Sequence, residues 1–387
     1  MYYLEKIDTS SIFGDTEHFC MPGCVDIFLC EYDALHSQVY QRFTLRNIAK
    51  HFKEIFIAQC EQHDIFCATK HGVQGIDINE LLITGPEENT LYEIGLTEFL
   101  SLPIKYTREL SNINIVVHDY SEAGFSRRHH SVPPEVQQML DLPNVRFATD
   151  NLDESKFNIN KHFFQTVADS IEVGIPPLSK GHTGQTLALI RKPRTHRLSL
   201  LDHIDRQGLL GRVDWSLNTG YKPLVGDYCQ DHALGNDWED EQYLSSHPFV
   251  ERHRAELPKE LYTPAGQYVS PNILHPDFSC KYKLYLSVET HFDVPFITEK
   301  TAKAFVGGLP VAVYGNQTSV DYLHSIGFQC IRLGDTMHQQ LEDICELIES
   351  HEVDHDMVKH NHDLITDKAF ITGLCVSAIH SMFKKTM

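Results

Sequence analysis

Residues 282–315, YKLYLSVETHFDVPFITEKTAKAFVGGLPVAVYG, constrain this chain more than any other stretch. The apolar run 282–288 reads as a buried strand. Thr298 is a good N-cap, Glu299 and Lys300 fill a first helical turn, and Gly307-Gly308 ends the helix. A second apolar run, 309–314, carries Pro310 near its start, where a missing amide hydrogen is tolerated. Strand, helix and strand in this order predict a parallel pair joined by a helical crossover. The helix, from Glu299 to about Val306, then starts at the carboxyl edge of the sheet, where open α/β sheets bind their ligands.

The rest of the chain fits the same class. Apolar runs alternate with amphipathic ones, which predicts an α/β architecture. In the first half the clearest strand is 113–118 (INIVVH), followed by Asp119; others are expected at 25–30, 55–58, 83–84 and 145–148. Helices are expected at 36–52 and 131–140, the latter opened by Pro133 and Pro134. The segment GIPPLSKGHTGQ, 174–185, has two prolines, three glycines and no periodicity, as a linker does. It suggests an N-terminal domain 1–182 and a second domain 183–350, with 351–387 as a helical tail packing back on the first. The second domain restarts with strand 186–190, a basic turn RKPRTHR, a helix SLLDHIDRQG and strand 213–217. Residues 220–271 are acidic, aromatic and aperiodic, and read as an irregular surface insertion. Further helices are expected at 318–325, 337–350 and 367–384.

A length of 387 residues suits two domains, and 42% hydrophobic content supports buried cores. No apolar run reaches the span of a membrane helix, and the N-terminus lacks a basic region followed by an apolar one. The expectation is a soluble, cytoplasmic protein. Its ten cysteines show no repeating spacing, so they read as reduced thiols. A net charge of −20 opposes a surface that tracks nucleic-acid phosphates.

Against that acidic background, RKPRTHR puts four cations into seven residues: Arg191, Lys192, Arg194 and Arg197, with His196 among them. A guanidinium can clamp a phosphate through two parallel hydrogen bonds. The helix start at Thr298–Lys300 offers free amides, a favourable dipole and one ammonium, and Glu299 can accept both hydroxyls of a ribose. The same residues would also suit plain solvated turns. Together the two cationic turns on one sheet edge point to a diphosphate site. Two other patterns invite metal readings: His351/His355 and Asp356/His360 at helical spacing, and the acidic run 237–240 (DWED). Chance pairs among 24 histidines and an aperiodic loop account for them, so no metal and no cofactor is expected.

The segment KYKLYLSVETHFDVPFITEKTAKAFVGGLPVAVYG resembles the donor-binding signature of the α1,3-fucosyltransferase family, most specifically in T-E-K followed by G-x-P-V. It is also similar to related transferases of bacteria and phages. The resemblance implies a GT-B fold, two Rossmann-like domains with parallel sheets facing an interdomain cleft, and the donor on the C-terminal domain. It implies that Glu299 holds the donor ribose, Lys300 its diphosphate, and Arg194 or Arg197 a second phosphate contact. Thr298 opens the binding helix, and Glu289 matches the family's Glu in F-E-N. Val288, Thr290 and Phe296 depart from the family pattern, so the resemblance names no base and no sugar.

The resemblance further implies an inverting, metal-independent hexosyl- or deoxyhexosyltransferase. A carboxylate of the first domain would deprotonate the acceptor hydroxyl, and Asp119 and Glu122 in HDYSEAG are the candidates. Arg127, Arg128, His129 and His130 follow in the same loop and could meet the donor phosphate or an acidic acceptor. The acceptor could be a glycan, a protein or a modified nucleobase. An epimerase or hydrolase on the same frame, or a non-catalytic sugar- or nucleotide-binding module, is the alternative.

Overall fold

The computed structural model describes residues 3–6, 18–20, 26–27, 66–68, 74–77, 91–95, 114–119, 138, 142, 145–149, 163, 166–167, 170, 174, 178, 184–190, 193–217, 246–259, 261, 274, 276–292 and 295–374. The chain forms two compact units. Unit 1 comprises Met1–Phe125, Ser131–Ala168 and Asp367–Met387, and unit 2 comprises Ser126–His130 and Asp169–Thr366.

Unit 1 contains eight described strands: β1 (Tyr3–Lys6), β2 (His18–Cys20), β3 (Asp26–Ile27), β4 (Phe66–Ala68), β5 (Gln74–Asp77), β6 (Leu91–Gly95), β7 (Asn114–Asp119) and β8 (Val145–Thr149). Five form a sheet in the order β5-β1-β6-β7-β8. The run β6-β7-β8 is parallel, as an α/β unit requires. However, β1 runs antiparallel to both β5 and β6, so this sheet is mixed and not wholly parallel. The segments β3-β2-β4 make a separate antiparallel sheet. The expected strands 113–118 and 145–148 correspond to β7 and β8, and 25–30 shrinks to β3. Strands 55–58 and 83–84, helix 36–52 and all of 131–140 but Gln138 lie outside the described residues.

Unit 2 carries a four-stranded sheet, β10-β9-β11-β12, from β9 (Gln185–Leu189), β10 (Val213–Ser216), β11 (Tyr282–Val288) and β12 (Val311–Tyr314). All three pairings are parallel. Two α/β units, each with a run of parallel strands, are the make-up expected of a GT-B-like chain. The helices described in unit 2 are α1 (Thr195–Arg206), α2 (Pro248–Arg252), α3 (Pro276–Ser279), α4 (Glu299–Val306), α5 (Thr318–Ser325), α6 (Met337–Ser350) and α7 (His355–Thr366).

The strand order decides where a ligand can enter. From β9 the chain crosses by α1 to β10 on one side, and from β11 it crosses by α4 to β12 on the other. Right-handed crossovers in opposite directions put α1 and α4 on opposite faces. Ala188, Ile190, Trp215, Leu284, Leu286, Val288 and Tyr314 join α1 and α6 in one core cluster. Tyr285 and Ser287 belong to the other face, where α4 packs on β11 and β12 and α7 packs on α4. The direction of winding therefore switches between β9 and β11, and the crevice of a doubly wound sheet opens there, at the carboxyl ends.

Three expectations need correction. Helix α1 begins at Thr195, not at Ser199, so His196 and Arg197 sit in its first turn and not in a loop before it. Residues 248–259 of the supposed insertion return to the core: Phe249 is fully buried against Trp215, and Leu217 bridges to Lys259. Helix α7 falls within the expected helical tail, but it stays in unit 2, while residues from Asp367 onward join unit 1.

Candidate functional site

Helix α4 is only eight residues long, too short to persist alone. Its stability comes from both ends and one face. Thr298 caps it by accepting from the Lys300 amide at 3.2 Å. Ala302, Ala304, Phe305 and Val306 are buried, and Phe305 stacks on Phe328 at 4.8 Å. Gly308, at φ 65°, supplies the left-handed turn that ends the helix; a Cβ there would stand 2.6 Å from Leu178.

The turn between β11 and α4 converges on Glu289, which is 1% exposed. Its Oε2 accepts from the Thr298 hydroxyl at 2.6 Å, and its Oε1 from Thr301 Oγ1 at 2.9 Å, Ser287 Oγ at 3.2 Å and the Thr298 amide at 3.4 Å. Its main-chain carbonyl receives Arg197 Nη2 at 3.1 Å and Nε at 3.3 Å, and lies 3.0 Å from His196 Nε2. One residue thus ties the first turn of α1 to the first turn of α4. Buried carboxylates need such donors to remain tolerable.

Lys300 folds back over this turn. Its ammonium donates to Thr298 Oγ1 at 3.0 Å, Glu299 Oε1 at 3.2 Å and Thr290 Oγ1 at 3.3 Å. Its side chain is 13% exposed and that of Glu299 31% exposed, so both present a face to solvent. A cation here stands at the positive end of the α4 dipole, a placement that calls for negative charge nearby. Without a ligand, Glu299 provides it.

Arg194 is the N-cap residue of α1, in extended backbone, and its side chain makes no capping hydrogen bond. The first turn of α1 contains no acid. Arg197 is 3% exposed and braces the Glu289 carbonyl through two of its nitrogens. Asp119 ends β7 at the carboxyl edge of the parallel run in unit 1. Glu122 and the loop residues Arg127, Arg128, His129 and His130 lie outside the described residues, as do Arg191, Lys192 and the run 237–240.

Residues that the sequence reading passed over complete the picture. Thr290, named in the sequence reading but given no role there, is an acceptor for Lys300. Ser287 and Thr301 support Glu289 from below, their hydroxyls 2.8 Å apart. Lys303, one turn along α4, is half-buried; desolvation pushes its amine down to about 8, with Lys300 adding to the fall and Glu299 opposing it. The Tyr285 hydroxyl on the same sheet face is fully buried with no hydrogen-bond partner among the described residues, and burial with the Glu299 and Glu289 carboxylates drives its pKa up. The signal was in helical spacing, Thr301 three residues after Thr298 and Lys303 four after Glu299. Ser287 and Tyr285 could be found only by knowing which strand face meets α4.

The His-rich tract has another use. His360 Nε2 lies 2.8 Å from the Gly327 carbonyl, Asn361 bonds both main-chain groups of Gln329, and Lys359 pairs with Asp363. Among the described residues, no group of three or more His, Cys, Asp or Glu side chains is arranged to hold a metal ion. Among them, too, no helix is long and apolar enough to cross a membrane.

No protein-family model matches the chain, and no curated protein matches it in sequence. Solved structures with a similar course of chain include a UDP-forming α,α-trehalose-phosphate synthase from Burkholderia xenovorans, at 9% identity and a TM-score of 0.45, covering 79% of this chain and 76% of that one. Another is the N-terminal domain of trehalose-6-phosphate phosphatase from Candida albicans, at 10% identity and a TM-score of 0.41, covering 80% of this chain and 73% of that one. At these values the likeness assigns no residue and no substrate.

Proposed function

We propose that unit 2 binds the diphosphate and ribose of a nucleotide-sugar, and that the chain is a glycosyltransferase. It would move the sugar to an acceptor hydroxyl with inversion and without a bound metal. The observation that carries this reading is the joining of two helix N-termini, α1 and α4, through Glu289 at the switch point between β9 and β11, with the Lys300 ammonium beside it. Helix starts attract phosphate through amides and dipole, and the switch point is where doubly wound sheets bind ligands.

The chemistry is set by charge. A phosphate oxygen reaching Lys300 takes the place of the Glu299 carboxylate on that ammonium, which leaves Glu299 to accept from ribose hydroxyls. As the bond to the anomeric carbon breaks, negative charge grows on the departing diphosphate. Lys300, with Arg194 at the start of α1, opposes that charge, the role a metal fills in other sugar transferases. Arg197 acts by holding the two helix starts together. The acceptor hydroxyl loses its proton to a carboxylate of unit 1, for which Asp119 and Glu122 are the candidates. The donor is fucose-like only by resemblance; base, sugar and acceptor are open to the test.

A thermal-shift panel of UDP, GDP, ADP and TDP, each with its sugar conjugates, checks the reading. A donor at about a hundred times its dissociation constant adds about 2.7 kcal/mol of apparent stability. The expected result is a shift from one base series that K300A removes. No shift from any diphosphonucleotide overturns it.

A further inference from the structure

We propose that Glu289 is a positioning residue: from beneath the site, without touching the donor, it orients the Lys300 ammonium through the Thr298 hydroxyl. The proposal rests on the nucleotide-sugar reading for its ligand and on hydrogen-bond polarity for its argument.

Thr298 has one hydroxyl proton, and it goes to Glu289 Oε2 at 2.6 Å. Both lone pairs of that oxygen are then left facing outward. They meet two donors, the Lys300 amide at 3.2 Å and the Lys300 ammonium at 3.0 Å. A hydroxyl can serve two donors only while its own proton is directed elsewhere. The carboxylate directs it. The other carboxylate oxygen accepts from the Thr298 amide and from the Thr301 and Ser287 hydroxyls, so Glu289 faces only donors. At 1% exposure, Glu289 is shut off from bulk water.

This arrangement makes Glu289→Gln a sharp probe, because a carboxamide must aim its NH2 at one of two places. Aimed at the Oε1 position, it faces the Thr298 amide, a donor with no other role to adopt. Aimed at the Oε2 position, it turns the Thr298 proton outward against the Lys300 amide and ammonium. Either way a donor faces a donor, and the Lys300 ammonium is released from its place over the helix start. The shape of the side chain barely changes, so the effect is one of polarity.

Inorganic pyrophosphate titrated into the full chain by calorimetry reads the consequence without depending on the base. K300A and E289Q should each weaken pyrophosphate by about tenfold. The double variant should weaken it by the same tenfold in total, not by the roughly hundredfold of two independent sites. Acetic anhydride labelling followed by mass spectrometry reads the same relay with no ligand. Modification of Lys300 should rise several-fold in E289Q and stay at the wild-type rate in T298S, which keeps the hydroxyl, while exposed Lys281 is unchanged in both. If E289Q does not fold, Thr298→Val in its place removes the hydroxyl and should reproduce both effects. Additive losses, or Lys300 labelling unchanged in E289Q and T298V, would overturn the proposal. If the wild type binds neither pyrophosphate nor any nucleoside diphosphate while labelling of Lys300 still depends on Glu289, the donor reading fails and the positioning role stands.

Discussion

Lys300 and Lys303 lie one turn apart on α4 and should behave in opposite ways. Lys300 has three oxygen partners, and on the proposed reading its loss affects ligand more than folding. K300A is therefore expected to reduce turnover by about a hundredfold, in the range seen when one preorganised donor to a transition-state charge is removed, with little change in melting temperature. Lys303 has a depressed amine, at about 8 against an ordinary 10.5, so the folded state favours its neutral form. Between those two values the unfolded chain binds more protons, and stability rises with pH; below about 8 the full cost of charging a desolvated amine is present. Lys303→Met should accordingly stabilise unit 2 by on the order of 1 kcal/mol at pH 7, a gain that fades as pH approaches 10. Denaturant titrations at the two pH values check this, and a destabilised variant at pH 7 would count against it.

At the scale of elements, the quality of the sequence reading tracked the locality of its signals. The bounds of α4, α5 and α6 were all legible: Thr298 and Thr336 cap α4 and α6, and apolar residues at helical spacing mark all three. The start of α1 was not, since its first residues are polar and cationic and are held by a tertiary contact to Glu289. Helix α7 was read only as part of a helical tail, and its place in unit 2 was not legible: among its buried residues is Asn361, whose partner is the backbone of Gln329, 32 residues away. Helix α2 was hidden inside an aperiodic stretch, and its cap is unusual. His247 accepts from the Phe249 amide through Nδ1 at 3.3 Å, which only a neutral ring can do. Burial lowers its pKa below 6.5, Arg252 and Arg206 add to that, and Asp202 opposes it. The stability this neutral ring contributes is complete above pH 6.5 and is lost as pH falls through its folded value. The protection factor of the Phe249 amide, its exchange relative to the intrinsic rate at the same pH, should fall on acidification from pH 7 to pH 5, and H247N should remove that dependence. A second loss belongs to still lower pH. Burial alone would raise Asp205, but hydrogen bonds from Arg252 and His253 hold it below 3.8. That contribution, present above about 3.8, disappears as the carboxylate is protonated.

At the scale of the molecule, the proposed activity is confined to unit 2 for donor binding. Hydrogen exchange with the donor found in the panel should show protection in α1, α4 and the end of β11, and none of comparable size in β6 to β8. Protection centred on unit 1 would argue against the site described above. The core beneath it is expected to be unforgiving: Phe249→Ala, which empties space beside Trp215, should cost about 3–5 kcal/mol, measured by denaturant unfolding. The strand–helix–strand segment 282–315 was readable because a cap, a first turn, a glycine stop and two apolar runs are all local instructions. With it came the α/β class, the helix start at the sheet edge, and Glu299 and Lys300 in the first helical turn. What sequence could not supply is which strand lies beside which. The order β10-β9-β11-β12 sets the switch point between β9 and β11, turns Arg197 inward onto the Glu289 carbonyl, and makes Glu289 a buried support. Those contacts join residues more than ninety positions apart, and only the packed sheet brings them within hydrogen-bonding distance.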